Sequence, residues 1–275
     1  MTTSLGRIGA TAIAASVMAL GLTAPAHAAT VDSTCGITTT KAAASAYKAT
    51  HPLDLAGNPT AAERKAAAAH DAEKTAWLGA KPVSCNTSGF TTQASGQITW
   101  MYHYTQATNY FCGPAVVSEF SATVPGSSPY NLDQWAVASY MGTTTNGTNY
   151  QQETNGLNHY VGVPDFGRVF YGMVWMSDPP TAAQQQAFIN NLSADVAVSS
   201  PIAGLAYEVP GGPHLVGHPA NQTIGHWIEI GGYNTSTSQV WYADSAQNPW
   251  PNVPNYSWFD MHTMEVILGG AGYIW

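Results

Sequence analysis

The chain has 275 residues, a formal net charge of −8 and only 9% charged residues. That length suits one domain with an extension and a large core. Its basic residues are few and scattered, so no basic patch exists and nucleic acid is excluded as an expected partner.

The N-terminus predicts export. Arg7 precedes an apolar run from Ile8 to Leu22, and the small-residue pattern of a cleavage site follows at Ala26 to Ala28. This run is too short to span a membrane, and no later run reaches about 18 apolar residues. Residues 1–28 are therefore interpreted as a signal peptide. We expect a secreted, monomeric mature chain that begins near Ala29 and has no membrane span.

Residues 29–88 form an Ala-rich segment with helical character. A first helix is predicted over Lys41 to Thr50, and the prolines and glycine of His51 to Pro59 end it. Thr60 and Glu63 match a capping box, which predicts the start of a second helix. Its faces are mostly alanine, so thin packing on another surface is expected. The extension is interpreted either as a structural brace or as a prosegment.

Three cysteines in an exported chain leave one without an intramolecular partner. Cys35 and Cys85 bracket the Ala-rich segment, and we expect them to form a disulfide. Such a bond would close a loop of about 50 residues and add on the order of 4 kcal/mol in the chain-entropy model. Cys112 would then be free. The alternative is that Cys112 is a buried apolar thiol or pairs with one of the other two.

Residues 89–275 are richer in glycine and aromatic residues and form the predicted main domain. After Cys112, apolar residues recur at helical spacing up to Val124, and Pro114 is tolerated in a first turn. Cys112 is therefore predicted at a helix N-terminus. The partial positive charge there favours the thiolate and lowers the pKa of a cysteine.

The second half of the main domain reads as one helix followed by strands. Thr181 is suited to cap a helix, and strands are predicted at Pro201–Val209, His226–Tyr233, Gln239–Asp244 and Met264–Leu268. Helices come first and strands after them. This order indicates an α+β fold with a mostly antiparallel sheet.

Four residues suggest a catalytic site. Gln106 lies six residues before Cys112, which pairs a possible oxyanion donor with a sulfur nucleophile. If the later hairpin turns about Thr235, His226 and Asp244 stand directly opposite each other, with side chains on one face and β-carbons roughly 5 Å apart. An imidazole and a carboxylate would then meet. Asn248 is a second candidate for orienting the imidazole.

Other candidate sites are weaker. His214 and His218 are four residues apart, but HLVGH lacks the glutamate of a zinc-protease helix and lies among glycines and prolines. Asp54 and Glu63 form no obvious pair for glycoside hydrolysis. The sequence lacks Gly-x-Ser-x-Gly, so the nucleophile elbow of an α/β-hydrolase is not expected. Neither a metal nor a cofactor is expected.

Three segments together resemble a known family: QATNYFCGPAVV from Gln106, GHWIEIGGYN from Gly225 and VWYADSAQ from Val240. They resemble the papain-like cysteine peptidases of the bacteriocin-processing, double-glycine-leader family, and in particular its stand-alone exported relatives, over Ser95 to Trp275. The resemblance implies a papain-like fold and a peptide or protein substrate. It also implies four roles: nucleophile for Cys112, general base for His226, orienting group for Asp244 and oxyanion donor for Gln106.

Two alternatives stay open at this point. One is a papain-like amidase or transferase acting on cell-wall peptides, although those enzymes tend to have an acidic residue before the cysteine and a serine after it. Here Phe111 and Gly113 flank Cys112. The other is an inactive binding module that keeps the fold.

Overall fold

The computed structural model describes residues 42–57, 59–79, 95–125 and 132–275. The predicted signal peptide lies outside these ranges, and so do Cys35 and Cys85, whose predicted disulfide stays a prediction. Cys112 is a free thiol. Within the described ranges, no helix is both long enough and apolar enough to cross a membrane.

The N-terminal segment contains helices α1 (Ala42–Thr50) and α2 (Ala61–Leu78), joined by a short 3₁₀ turn at Asp54–Ala56. The predicted capping box is present. Glu63 N donates to Thr60 Oγ1 at 3.2 Å, and Thr60 N donates to a Glu63 carboxylate oxygen at 2.6 Å. Both predicted helices of this segment are thus confirmed to within one residue.

The packing of α2 differs from the thin alanine contact that its sequence predicts. Lys74 is buried, and its Nζ lies 2.8 Å from a carboxylate oxygen of the equally buried Asp195. In α1, Lys48 Nζ donates to the backbone oxygens of Val266 at 2.9 Å and Gly269 at 2.8 Å. A buried charge must be paired or hydrogen-bonded, so these two lysines fix the segment to the rest of the chain.

Further helices follow in the main part of the chain. They are α3 (Cys112–Thr123), α4 (Gln134–Met141), α5 (Tyr150–Leu157), which continues through a π turn (Asn158–Gly162) into α6 (Val163–Phe166), α7 (Ala182–Val196) and α8 (Met261–Leu268). Thr181 caps α7 as predicted, since Gln184 N donates to its side chain. The predicted helix start at Cys112 is also confirmed.

Seven strands form one antiparallel sheet. They are β1 (Ser95–Gln97), β2 (Met173–Trp175), β3 (Ile202–Glu208), β4 (Ile224–Asn234), β5 (Gln239–Ala243), β6 (Tyr256–Asp260) and β7 (Gly272–Ile274). Their spatial order is β2-β7-β3-β4-β5-β6, and β1 pairs with the end of β4. Every pairing is antiparallel, which confirms the α+β class.

Helices cover both faces of the sheet. Along β3, Ala203 and Leu205 pack in the cluster that contains Val116 and Phe120 of α3. Their neighbour Ala206 faces the other way, in the cluster formed with α7 and α8. This alternation is what a strand buried on both faces requires. Strand β4 lies near the centre of the sheet. Its first residues pair with the C-terminal end of β3 and lie close to Cys112 at the start of α3.

One predicted element is wrong. Met264–Leu268, interpreted as the last strand, belongs to helix α8. Asp260 caps this helix by accepting from Thr263 N at 2.8 Å, and Met261, Met264 and Ile267 then fall on one buried face. The apolar run is short, and a short run does not distinguish a strand from a buried helix without its cap.

Candidate active site

Cys112 is the first residue of α3, and its side chain is buried. Phe111 before it provides no side-chain cap, so the first backbone N–H groups of the helix remain available. Burial alone would raise the pKa of Cys112. The hydrogen bond and charge of His226, with the backbone N–H groups of Trp227 and Gly113, outweigh burial and hold the pKa of the thiol below its usual value.

His226 lies near the start of β4, and its Nε2 is 2.9 Å from Asp244 Oδ1. Burial opposes the charged imidazole. The charge and hydrogen bond of Asp244, followed by those of Cys112, nevertheless raise the pKa of His226 well above its usual value. Burial likewise opposes the Asp244 carboxylate, but the two histidines beside it hold its pKa below the usual range.

His226 and Asp244 meet without being directly opposed, which corrects the predicted register. The β4–β5 ladder ends with the pair Glu229 and Ala243. The same register continued by one residue would set Asp244 opposite Ile228. His226 is therefore a diagonal neighbour on the same face, and such neighbours are within reach of long side chains. A bulge at Gly231 adds one residue to β4 and changes the register.

Gln106 lies beside Cys112 in the cleft that both residues line. Its backbone N donates to Ser245 O at 2.9 Å, and its side-chain oxygen accepts from the Ser245 hydroxyl at 3.3 Å. The amide Nε2 donates one N–H to Thr108 O at 2.6 Å. An amide nitrogen carries two N–H groups, so one more can be offered to a ligand.

The second candidate partner of the imidazole lies elsewhere. Asn248 donates from Nδ2 to Ala107 O at 3.1 Å in an exposed position. The structure thus brings together Gln106, Cys112, His226 and Asp244, but it keeps Asn248 apart from the imidazole.

Two residues that the sequence did not assign to this site complete it. His218 Nε2 lies 3.1 Å from Asp244 Oδ2, and His218 Nδ1 lies 2.7 Å from Glu208 Oε1. Glu208 also accepts from Leu215 N at 3.0 Å through its second oxygen. His214, which shares the HLVGH motif, turns away to Gln222 O at 3.1 Å. The sequence signal for this pair was Glu208 at the end of β3 and His218 in the loop before β4.

Among the described residues, three buried glutamates lie close to α3: Glu119 on the helix itself, Glu153 beside Gly113 and Glu229 beside Thr123. Burial raises the pKa of Glu119, Glu153 and Glu229 well above the usual value, which favours their neutral form. The charge of Cys112 raises the pKa of Glu153 further, and that of Asp244 does so for Glu119.

The cleft above Cys112 has a volume of about 160 Å³ and also receives Leu55 of the N-terminal segment. Leu53 Cδ1 and Leu55 Cδ1 lie 2.7 and 3.3 Å from where a β-carbon on Gly225 would project. Residues 51–57, here called the cleft segment, therefore pack on the backbone that precedes His226. Trp175 Nε1 donates to Ala56 O at 3.2 Å and holds the segment at its far end.

One group among the described residues has the spacing of a metal site. Ligand atoms of His218, His226 and Asp244 lie within 4.8 Å of one another. The contacts among these side chains already account for the spacing, because each imidazole Nε2 faces a separate oxygen of Asp244. An ion would displace the contact that orients His226. The arrangement is instead suited to a thiolate–imidazolium pair, which is a nucleophile next to a proton donor.

Comparison with known proteins gives distant likenesses among solved structures alone. A scan against protein-family models and a search of curated proteins find no match. Among solved structures, the chain is similar to xylellain, a cysteine protease from Xylella fastidiosa, at 12% sequence identity and a TM-score of 0.44. The match covers 67% of this chain and 85% of that one. A likeness this distant does not assign an activity to the chain.

Proposed function

We propose that this protein is a papain-like cysteine peptidase that hydrolyses peptide bonds. In this proposal Cys112 is the nucleophile, His226 is the general base and then the acid, and Asp244 orients the imidazole. One observation carries the proposal: a free thiol at a helix start is hydrogen-bonded to His226, whose Nε2 is 2.9 Å from Asp244. This arrangement meets the requirements of nucleophilic catalysis by a thiol.

The proposed reaction has two halves. The Cys112 thiolate attacks the carbonyl carbon, a C–S bond forms and the carbonyl electron pair moves onto oxygen. The His226 imidazolium gives its proton to the departing amine as the C–N bond breaks, which leaves a thioester. His226, now neutral, takes a proton from water, and the resulting hydroxide attacks the thioester and expels the thiolate.

The oxyanion requires donors on the side of the carbonyl oxygen. The Cys112 backbone N–H at the start of α3 is suitable, because the helix N-terminus leaves it without an intrahelical partner. The second N–H of Gln106 Nε2 is the other proposed donor. Its first N–H is held by Thr108, which limits rotation of the amide.

Cleavage of a peptide library, read by mass spectrometry, tests the activity. We expect the wild-type protein to cut peptides and to be labelled by a thiol-directed epoxide. Cys112→Ala should lose both properties while it keeps the wild-type circular dichroism, with a loss of turnover of about 10³-fold or more. Cys112→Ser is the matched control for side-chain volume. Undiminished turnover in Cys112→Ala would exclude the proposal.

We also propose that residues 1–28 direct export and that Cys35 and Cys85 form a disulfide. Their support is the signal-like pattern of the first residues and the odd number of cysteines. The protein purified from culture medium should begin near Ala29, and peptide mapping without reduction should recover Cys35 linked to Cys85. A mature chain that still begins at Met1, or a Cys35 thiol that alkylates without reduction, would contradict the corresponding part.

A further inference from the structure

Asp244 is held by two histidines, and only one of them reaches the thiol. Its Oδ1 accepts from His226 and from Ala246 N at 3.0 Å. Its Oδ2 has His218 as a partner, through an ion pair of 3.1 Å. Asp244 is 1% exposed, so water does not replace a missing partner. The orientation of the carboxylate therefore depends on His218 at one oxygen and on His226 and Ala246 at the other.

His218 is itself held in place between two carboxylates. Each of its ring nitrogens faces a carboxylate oxygen, Glu208 Oε1 at 2.7 Å and Asp244 Oδ2 at 3.1 Å. An imidazolium carries a proton on both ring nitrogens, and it is the form that two facing carboxylates stabilise. Burial lowers the pKa of His218, but its hydrogen bonds to Asp244 and Glu208 raise it above the usual value. Trp250 covers the ring at 4.5 Å between centroids.

We propose that His218 is a positioning residue of the peptidase reaction: supported by Glu208, it fixes the Asp244 carboxylate in the orientation that holds His226 beside Cys112. This inference rests on the proposed function. The side chains from Glu208 to Cys112 form a chain of alternating charge, in which each member contacts the next. The contact with Glu208 alone would be enough to hold the loop that contains His218, so the second contact, with Asp244, links His218 to the catalytic group.

The alternating order of charges explains how His218 stabilises the Asp244 carboxylate. Without His218, the buried Oδ2 of Asp244 would lose its ion-pair partner, and the carboxylate would rotate or take up a proton. His226 would then be a weaker base, and the thiolate would form only at a higher pH. Ionisable groups that face this part of the site are Glu208, Asp244, His226, Tyr242, His103, whose Nε2 lies 2.8 Å from Asp244 O, and, from α3, Glu119.

The rate of alkylation of Cys112 by iodoacetamide, measured against pH, tests the proposal. In His218→Ala we expect the midpoint for thiolate formation to move up by about one pH unit, because the Asp244 carboxylate loses the charged partner of its Oδ2. His218→Gln, which keeps a donor but not the charge, should move the midpoint less. His214→Ala lies in the same loop and contacts none of these groups, so it should match wild type.

The same variants separate positioning from a purely structural role. With a cleaved peptide as substrate, kcat of His218→Ala should fall about 10- to 100-fold, with His218→Gln in between. A lower melting temperature with the wild-type kcat and alkylation midpoint would overturn the proposal. If His218→Ala does not fold, kcat and the alkylation midpoint of His218→Gln test the proposal instead. If the wild type cleaves no peptide, the proposed function fails, and the alkylation midpoint still decides the role of His218.

Discussion

His226 and Asp244 lie on the same face of the sheet because of the extra residue at Gly231. Without it, the register at the hairpin end of β4 and β5, where Asn234 pairs with Gln239, would continue and set Asp244 opposite Glu229. Side chains alternate along a strand, so Asp244 would then face away from His226. The bulge reverses this parity and places the carboxylate 2.9 Å from the imidazole. A single glycine thus determines whether the two groups meet.

The bulge is a tight site, which gives a first prediction. A β-carbon on Gly231 would clash with the Met101 sulfur. Gly231→Ala should therefore destabilise the protein by about 1–3 kcal/mol, the usual effect of overpacking. In a Met101→Ala background the same change should cost less, since the clashing atom is gone. Urea denaturation of the four proteins measures this coupling, and additive effects would contradict it.

Asp244→Asn should narrow the pH range of activity. The pKa of Cys112 is lowered and that of His226 is raised, so the active pair forms above the first pKa and is lost above the second. Among the contributions that raise the pKa of His226, the charge of the Asp244 carboxylate is the largest, and asparagine removes this charge. The alkaline limb of kcat/KM should move to lower pH, and kcat should fall about 10²- to 10⁴-fold.

A profile of kcat/KM against pH for wild type and Asp244→Asn measures both changes. Asn248→Asp is the matched control, because it adds a carboxylate close in sequence at an exposed site that does not contact His226. An alkaline limb that stays in place in Asp244→Asn would show that this carboxylate does not set the pKa of the imidazole.

Local signals predicted the parts of the site that depend on local structure. The capping box at Thr60 and the helix start at Cys112 follow from residues within one turn, and both are present. The hairpin placed His226 and Asp244 at the same end. Its register was wrong because the chain turns between Asn234 and Gln239, later than the predicted turn about Thr235, and the bulge then moves the pairing back by one residue. The Gly231–Gly232 pair was the available signal, since glycine inside a strand often marks a bulge.

The remaining parts depend on contacts between distant segments. His218 lies beside Asp244 in a loop that Glu208 holds through two contacts: it accepts from Leu215 N and pairs with His218 Nδ1. The buried Lys74 forms an ion pair with Asp195, which lies on α7. No pattern along the chain encodes such pairs, so the burial of Lys74 was not predicted. Helix α8 was missed for the same kind of reason, since its cap and its burial were both required to identify it.

The cleft segment should compete with substrate. Leu55 lines the cleft with Cys112 and His226, and Leu53 packs on Gly225. Burying a leucine side chain contributes about 1.5–3 kcal/mol, and these two are half-buried. The double change Leu53→Ser/Leu55→Ser should therefore lower KM for a peptide about 10-fold. Asp54→Ser, at the exposed residue between them, is the control. An unchanged KM would show that substrate binds elsewhere.

The contact between Lys74 and Asp195 makes α2 part of the folded domain, and it predicts a pH-dependent stability. Burial raises the pKa of Asp195 to about 6, although the Lys74 charge opposes this. Lys74→Met removes that charge and raises the pKa of Asp195 further. A carboxyl whose pKa is raised on folding stabilises the fold fully below its unfolded value of 3.8, and this stabilisation is lost as the pH rises through the folded pKa.

Lys74→Met should consequently lose about 3–5 kcal/mol of unfolding free energy at pH 8, where Asp195 is left as a buried unpaired charge, and much less at pH 5. Urea denaturation at the two pH values measures the difference. Lys65→Met, at an exposed position of the same helix, should have little effect at either pH. Lys74→Met/Asp195→Leu should recover most of the stability at pH 8. An equal loss at both pH values in Lys74→Met would mean that the lysine contributes by packing, with no dependence on the charge of Asp195.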